Sequence, residues 1–404
     1  MIQRFIINSK SNLFIDLLLY LVPFAIIVGQ GPLNVITATI SLVFIFLIFK
    51  NKIYNQFKNY LIFLFFLILF FSINIFFSTD YDLSYRSTIG TIRYFILFLA
   101  LIYSFNNIEN FKLNFARILF FLVIFVILDS YVQYFFGKDI FGYSSLNNRL
   151  TGPFGNEKVV GAYVSKLIFL SFSFLILKKT NIRYISIIAL VAFVLIVLSN
   201  ERSSSLMFLG SLFIFFIFSC IRPFIKLSFL MSIFVFLFLL LNYNNTFKER
   251  FVNEPTKYSN DSHHKAHFLT AIEIFKNHKI IGSGIKTFRV ECHKKKYENI
   301  NSIYYKNRCT THPHNFYLEI LSEAGILGAL ILVSLNFYIV LHLIKNFFTK
   351  TKFKNEILFI FCNFFILFWP LQTTGSFFSS WNGVFYWIFF AFFFHLKEKL
   401  AKFE

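Results

Sequence analysis

The feature that most constrains this chain is a recurrence of apolar runs, each about 16 to 22 residues long, separated by polar breaks; a helix needs about 20 apolar residues to span a bilayer. They lie around residues 13–29, 33–49, 60–77, 88–105, 116–136, 159–177, 182–198, 204–221, 224–243, 316–344, 356–371 and 380–396. Inside hydrocarbon a lone segment satisfies all its backbone N–H and C=O groups only as a helix. The runs therefore predict an all-α polytopic membrane protein of about 12 transmembrane helices. The composition excludes an ordinary soluble domain and a disordered chain alike: 57% of residues are hydrophobic, 14% are charged, and the mean hydropathy is +0.66. The 64 Phe residues accompany abundant Ile, Lys and Asn, as biased codon usage produces, so no Phe stripe is read as a ligand site.

Basic residues in the short loops set the orientation. Arg4 and Lys10 precede the first run, but Gly29-Gln30-Gly31-Pro32 is a poor cleavage site and another helix follows, so the first helix is expected to be retained. The same side carries Lys50, Lys52 and Lys58; Lys112 and Arg117; Lys178, Lys179 and Arg183; Arg222 and Lys226; Lys345, Lys350, Lys352 and Lys354; and Lys397, Lys399 and Lys402. Loops 29–32 and 372–380 hold no Lys or Arg, and 78–87 holds Arg86 against Asp80 and Asp82. Both termini are thus expected to be cytoplasmic. The chain divides into a bundle over 1–243, an external loop over 244–315, the only soluble module, and C-terminal helices over 316–404. The loop holds 13 Lys and Arg against 6 Asp and Glu, a surplus of 7. That suits an anionic partner such as a lipid diphosphate, a phosphorylated sugar or the phospholipid surface, unless it reflects a Lys-rich background. Topology excludes nucleic acid.

Polar groups gather in Thr310–Gly328, T-T-H-P-H-N-F-Y-L-E-I-L-S-E-A-G-I-L-G. Pro313 disfavours helix at His312 and suits the start of one, so His314 and Asn315 fall at a helix mouth, where Asn315 can cap. Glu319 and Glu323 form a like-charge i,i+4 pair that needs cations or water to answer it. A wet loop meeting a transmembrane helix would account for this much. From His314 to Gly328, however, H-N-x-Y-L-x-x-L-x-E-x-G-x-x-G resembles the signature of the O-antigen ligase and polymerase superfamily. The resemblance implies a multi-pass, C-type glycosyltransferase of the bacterial inner membrane. Such enzymes move glycans from undecaprenyl diphosphate to an acceptor without metal, cofactor or nucleotide sugar.

Three further segments resemble the same superfamily. The run from Phe268 to Arg289 places apolar Phe268, Ile272 and Phe275 on one face of a short helix, expected on the membrane surface, then a turn at Gly282-Ser283-Gly284. Leu198–Leu206, L-S-N-E-R-S-S-S-L, resembles the marker that enters the eighth helix; there Arg202 offers a planar donor fork beside helix N–H groups as a diphosphate clamp, with an Arg that merely snorkels to the interface as the alternative. Asn147–Glu157 resembles an external loop of the family, from which Glu157 departs. The related region spans about 149–344.

For transfer from a lipid diphosphate, these residues imply Arg202 and Arg289 as diphosphate ligands and His314 as general base or hydroxyl orienter. Asn315 and Glu323 would support them; nine helical residues span about 13 Å, so Glu323 cannot touch His314. His263, His264 and His267 stand where many relatives carry an Arg. A second cationic role is left open among His264, Lys265 and Arg289, beside a reading as exposed structural histidines. Cys292 and Cys309 share the external loop, where an oxidising periplasm would pair them for about 3 kcal/mol, unless they remain free or buried thiols. Zinc ligand types occur in Cys292, His293, Cys309, His312 and His314, but in neither C-x-x-C nor H-x-x-x-H spacing, and no metal is expected. Arg93, Asp129 and Lys166 lie within helices, where each costs about 2.5 to 3.5 kcal/mol unless paired; an Arg93–Asp129 ion pair is one solution and a substrate role another. The expected function is transfer of an O-antigen glycan from undecaprenyl diphosphate to lipid A-core at the periplasmic face. An O-antigen polymerase is the alternative, as is a relative acting on protein. A flippase or transporter of lipid-linked glycans would share the helices without requiring the His-Asn motif.

Overall fold

The structure, a computed structural model, describes residues 9–257, 261–349 and 351–402, so Arg4 and Lys350 lie outside the described residues. Its helices are α1 (Ser9–Val28), α2 (Gln30–Lys50), α3 (Lys58–Phe76), α4 (Tyr81–Asn107), α5 (Phe111–Phe136), α6 (Val160–Leu177) and α7 (Ile182–Leu198). There follow α8 (Arg202–Phe218), α9 (Pro223–Tyr243), α10 (His263–Asn277), α11 (Phe316–Phe347), α12 (Lys354–Phe368) and α13 (Ser380–Ala401), with several single turns between. Helices occupy all twelve expected places, and the polytopic all-α class follows. The count of spans does not: among the described residues seven helices are long and apolar enough to cross a membrane, α2, α3 with the turn before it, α4, α5, α6, α9 and α11, while Leu13–Val28 of α1 and the 17-residue α7 and α8 are shorter apolar stretches. At 15 residues, α12 rises only about 22 Å. In α9 only 6% of the most apolar stretch is buried against protein. Its exposed Phe224, Leu227, Met231, Phe234 and Phe238 form a surface suited to lipid.

The chain forms two compact units. One comprises Met1–Lys112, His263–Val333 and Thr374–Glu404; the other comprises Leu113–Ser262 and Ser334–Thr373. In the first, α4 packs on α13 and α2, and α1 on α2, with Phe95 and Phe98 against Trp387. In the second, α12 packs on α6 and α8 through the rings of Phe169, Phe172, Phe215 and Phe359. The abundant Phe thus fills both cores. In place of an Arg93–Asp129 ion pair, Arg93 in the first unit donates through Nη2 to Asn34 Oδ1 (2.7 Å), Tyr94 Oη (2.9 Å) and Ser380 Oγ (3.0 Å). Asp129 in the second accepts from the N–H of Ile140 at 3.0 Å.

The two glycine motifs meet in the first unit. Helix α11 is interrupted at Gly325, whose φ of +66° is left-handed and whose ψ is −166°. The break leaves backbone groups for the turn at Gly282-Ser283-Gly284: Ser283 N–H donates to the Ser322 carbonyl and Gly284 N–H to the Glu323 carbonyl, both at 3.0 Å. Beyond the break, Ile326 N–H donates to the Lys279 carbonyl at 2.9 Å. Asn74 of α3 closes the junction, donating through Nδ2 to the carbonyls of Ile281 (2.7 Å) and Glu323 (2.9 Å). A Cβ at Gly282 would collide with the backbone of Glu323, and one at Gly325 with the carbonyl of Ile280.

Helix α10 buries Ala266, His267, Thr270, Ala271 and Ile274, while Phe268, Ile272 and Phe275 stay half-exposed. Its core face is therefore the one beside the Phe268 stripe, because small side chains let the helix approach closely. Ala271 and Ile274 join Phe288, Cys292 and Tyr297 in a small core, against which Cys309 and Leu318 pack. Cys292 and Cys309 are disulfide-bonded with Cα atoms 5.4 Å apart.

Candidate active site

The His-Asn pair sits where α11 begins. Asn315 Oδ1 accepts from Leu318 N–H at 3.1 Å, an N-cap bond that satisfies one of the helix's orphan donors. His314 has φ of +58°, a left-handed conformation that a side chain adopts at a cost. Thr374 holds it there. The Thr374 N–H donates to the His314 carbonyl at 2.8 Å, and Thr374 Oγ1 accepts from Phe316 N–H at 3.0 Å.

Three further imidazoles surround that of His314. Ring centroids of His264, His267 and His312 lie 5.1, 5.3 and 4.4 Å from that of His314. His312 is held beside it: its Nδ1 lies 2.9 Å from Thr311 Oγ1 and its Nε2 3.3 Å from the Thr374 carbonyl. Burial, then the neighbouring His312, His264 and His267, push His314 down to about 3. Burial likewise takes His267 down to about 4 and lowers His312. At neutral pH the rings of His314 and His267 carry no charge. His264 is the residue of the His264–Lys265 pair brought to His314, whereas Lys265 is half-exposed and His263 packs a tilted ring on Tyr304, centroids 4.3 Å apart.

Glu323 is turned away from the imidazoles. Its carboxylate accepts from the N–H groups of Lys286 (2.7 Å) and Phe288 (3.1 Å), holding the turn that carries Lys286 and Arg289. Glu319 accepts from Ser376 Oγ (2.5 Å) and Phe377 N–H (2.7 Å). Backbone and hydroxyl donors thus answer the like-charge pair, with the charges of Lys286 and Arg289 nearby. Burial, and then the Arg289 charge, lower the Lys286 ammonium, while Glu319 and Glu323 oppose this. The buried Nε of Arg289 finds no partner among the described residues.

Arg202 belongs to the second unit, at the first position of α8. Its Nη1 lies 3.5 Å from Glu254 Oε2, which also takes Arg250 Nη1 at 2.5 Å. Buried Glu201, just before α8, accepts from Gly161 N–H (2.7 Å) and Ala162 N–H (3.0 Å) in the first turn of α6. The charge of Arg149 opposes the rise that burial imposes on the Glu201 carboxyl. Arg149, Arg202 and Arg250 thus face two carboxylates, and the buried Nε atoms of Arg149 and Arg250 find no partner among the described residues.

Residues 187–333 match the O-antigen ligase family. Over this stretch the chain is similar to the O-antigen ligase family. The match supports enzymatic glycan transfer of the O-antigen ligase or polymerase type by a multi-pass bacterial membrane protein. No curated protein matches the chain.

The matched stretch contains Arg202, the glycine turn, Arg289 and the His-Asn pair; the Asn147–Glu157 loop lies before it. Sequence reasoning missed Lys286, Thr374, Arg149 as a charged partner and Arg250. Lys286 had a signal, two residues past Gly284 in the run that ends at Arg289. Thr374 had a weaker one, the Thr-Thr-Gly turn between two apolar runs. Arg250 lies in none of the motifs.

Proposed function

We propose that this chain transfers a preassembled glycan from undecaprenyl diphosphate to lipid A-core at the periplasmic face of the inner membrane. One observation carries the reading. His314, a neutral imidazole, is clamped at the mouth of α11 in the same unit that holds Lys286 and Arg289 on a carboxylate-fixed turn, with the Arg289 Nε unanswered.

In the proposed reaction the acceptor hydroxyl attacks the anomeric carbon, the bond from that carbon to the diphosphate oxygen breaks, and His314 takes the hydroxyl proton. An imidazole held at about 3 is a weak base, but a bound diphosphate would raise it, so the base strengthens when donor is present. Arg289 and Lys286 stabilise the negative charge that gathers on the leaving diphosphate. Arg202, with its bidentate fork, is proposed for the same anionic class of ligand. Asn315 and Glu323 act by positioning, Asn315 by capping α11 and Glu323 by holding the Lys286–Phe288 backbone. His264 lines the base, and Lys265 remains a candidate contact for the donor or the lipid surface.

The test is a cell-free assay with lipid-linked donor and purified lipid A-core. Joining of the glycan to core is the expected product. A lengthened lipid-linked chain would make the enzyme a polymerase, and translocation without product would place it among transporters.

A further inference from the structure

We infer that His264, His267 and His314 form a binding site for a late first-row divalent metal, typified by zinc, whose occupation silences His314. One ring nitrogen from each lies within 4.8 Å of the other two. Ligand nitrogens in a tetrahedral zinc site stand roughly 3.4 Å apart, given a Zn–N distance near 2.1 Å. Rotation of the imidazoles supplies that contraction. His264 and His267 are three residues apart on α10 and so share a face.

A second, independent observation concerns His267, which is 7% exposed. Its Nε2 lies 2.9 Å from the Asn307 carbonyl, and a carbonyl can only accept, so the proton is on Nε2. Nδ1 therefore keeps its lone pair, and it is buried with no partner among the described residues. A ring oriented through one nitrogen by a backbone carbonyl, with the other bare, is the outer-shell arrangement of metal-bound histidines. His312 is not a ligand, because its nitrogens face Thr311 Oγ1 and the Thr374 carbonyl. Cys292 and Cys309, beside His293, are excluded by their disulfide.

Three imidazole ligands suit zinc, copper or nickel rather than calcium or magnesium. Coordination consumes the lone pair with which His314 would accept a proton. The inhibitory consequence rests on the role proposed for His314; binding itself does not.

The test uses the full chain in detergent, with its disulfide intact and stripped by a chelator, titrated with zinc against a chromophoric competitor. His267→Ala should weaken binding by more than the roughly 10- to 100-fold that loss of an outer-shell partner costs. His264→Gln, at a half-exposed position, should do the same if His267→Ala misfolds, and His312→Ala should bind as wild type does. Equal zinc binding by wild type, His267→Ala and His264→Gln would overturn the site. In the transfer assay, zinc should inhibit wild type reversibly and spare His267→Ala. Zinc bound through His267 without inhibition would leave the site standing and overturn His314 as the base.

Discussion

Thr374 grips the backbone of His314 from both sides, donating its N–H to the His314 carbonyl at 2.8 Å and accepting the N–H of Phe316 on its hydroxyl at 3.0 Å. The left-handed His314 is thereby pinned to the loop before α13. Thr374→Val keeps the first bond and removes the second, stranding a buried N–H at a cost of about 1 to 3 kcal/mol. The expected result is a fall in kcat with little change in KM, and recovery in Thr374→Ser, which restores the hydroxyl. A Ser variant as slow as the Val variant would show that the hydroxyl is not what positions His314.

His314 and His312 are distinguishable although their rings lie 4.4 Å apart. His314→Ala should reduce glycan transfer by about 10²- to 10⁴-fold, the range for loss of a general base, while the protein still inserts in the membrane. His312→Ala removes a packing neighbour and should retain most activity. Similar mild losses in both would return the pair to a structural role.

Arg202 approaches Glu254 at 3.5 Å and remains a third exposed. Arg202→Lys keeps the charge but loses the planar fork, and should cut transfer sharply at unchanged expression. Wild-type turnover in that variant would make Arg202 an interface anchor.

Gly325→Ala would impose a Cβ on a left-handed φ and drive it against the Ile280 carbonyl. A loss of at least about 2 kcal/mol is expected, read as a lowered melting temperature in detergent. Gly31→Ala, where nothing lies within 4 Å, serves as the neutral control. Equal melting of the two variants would refute the role given to the α11 break.

Glu291 supplies a pH dependence. Burial would raise its carboxyl, but hydrogen bonds from His278, Lys294 and Tyr297 and the Lys294 charge outweigh this and hold it well below the usual carboxylate range. A depressed folded value means that the stabilisation is complete above the unfolded value, near 4.3, and is lost as pH falls below it. Thermal stability of the wild type should therefore drop faster than that of Glu291→Gln as pH is lowered from about 5 to 3. Parallel pH slopes would remove Glu291 from the account.

Much was legible in the chain itself because its signals are local. Helix positions followed from the length of apolar runs, and the Asn315 cap from chemistry acting over three residues. The pairing of Cys292 with Cys309 was anticipated from compartment alone, and their proximity is a property of the folded loop. The tertiary structure decided what answers groups that local chemistry leaves open. The carbonyls freed at Gly325 are met by the turn at Gly282-Ser283-Gly284, and the carboxylates of Glu319 and Glu323 by donors from Ser376, Phe377, Lys286 and Phe288. The buried face of α10 belonged to this second class, because small residues beside an apolar stripe declare no side until a neighbour packs on them. So did the gathering of His264, His267, His312 and His314: no spacing along the chain encodes it, since α10 and the start of α11 are joined through a disulfide-bonded loop that only folding brings together.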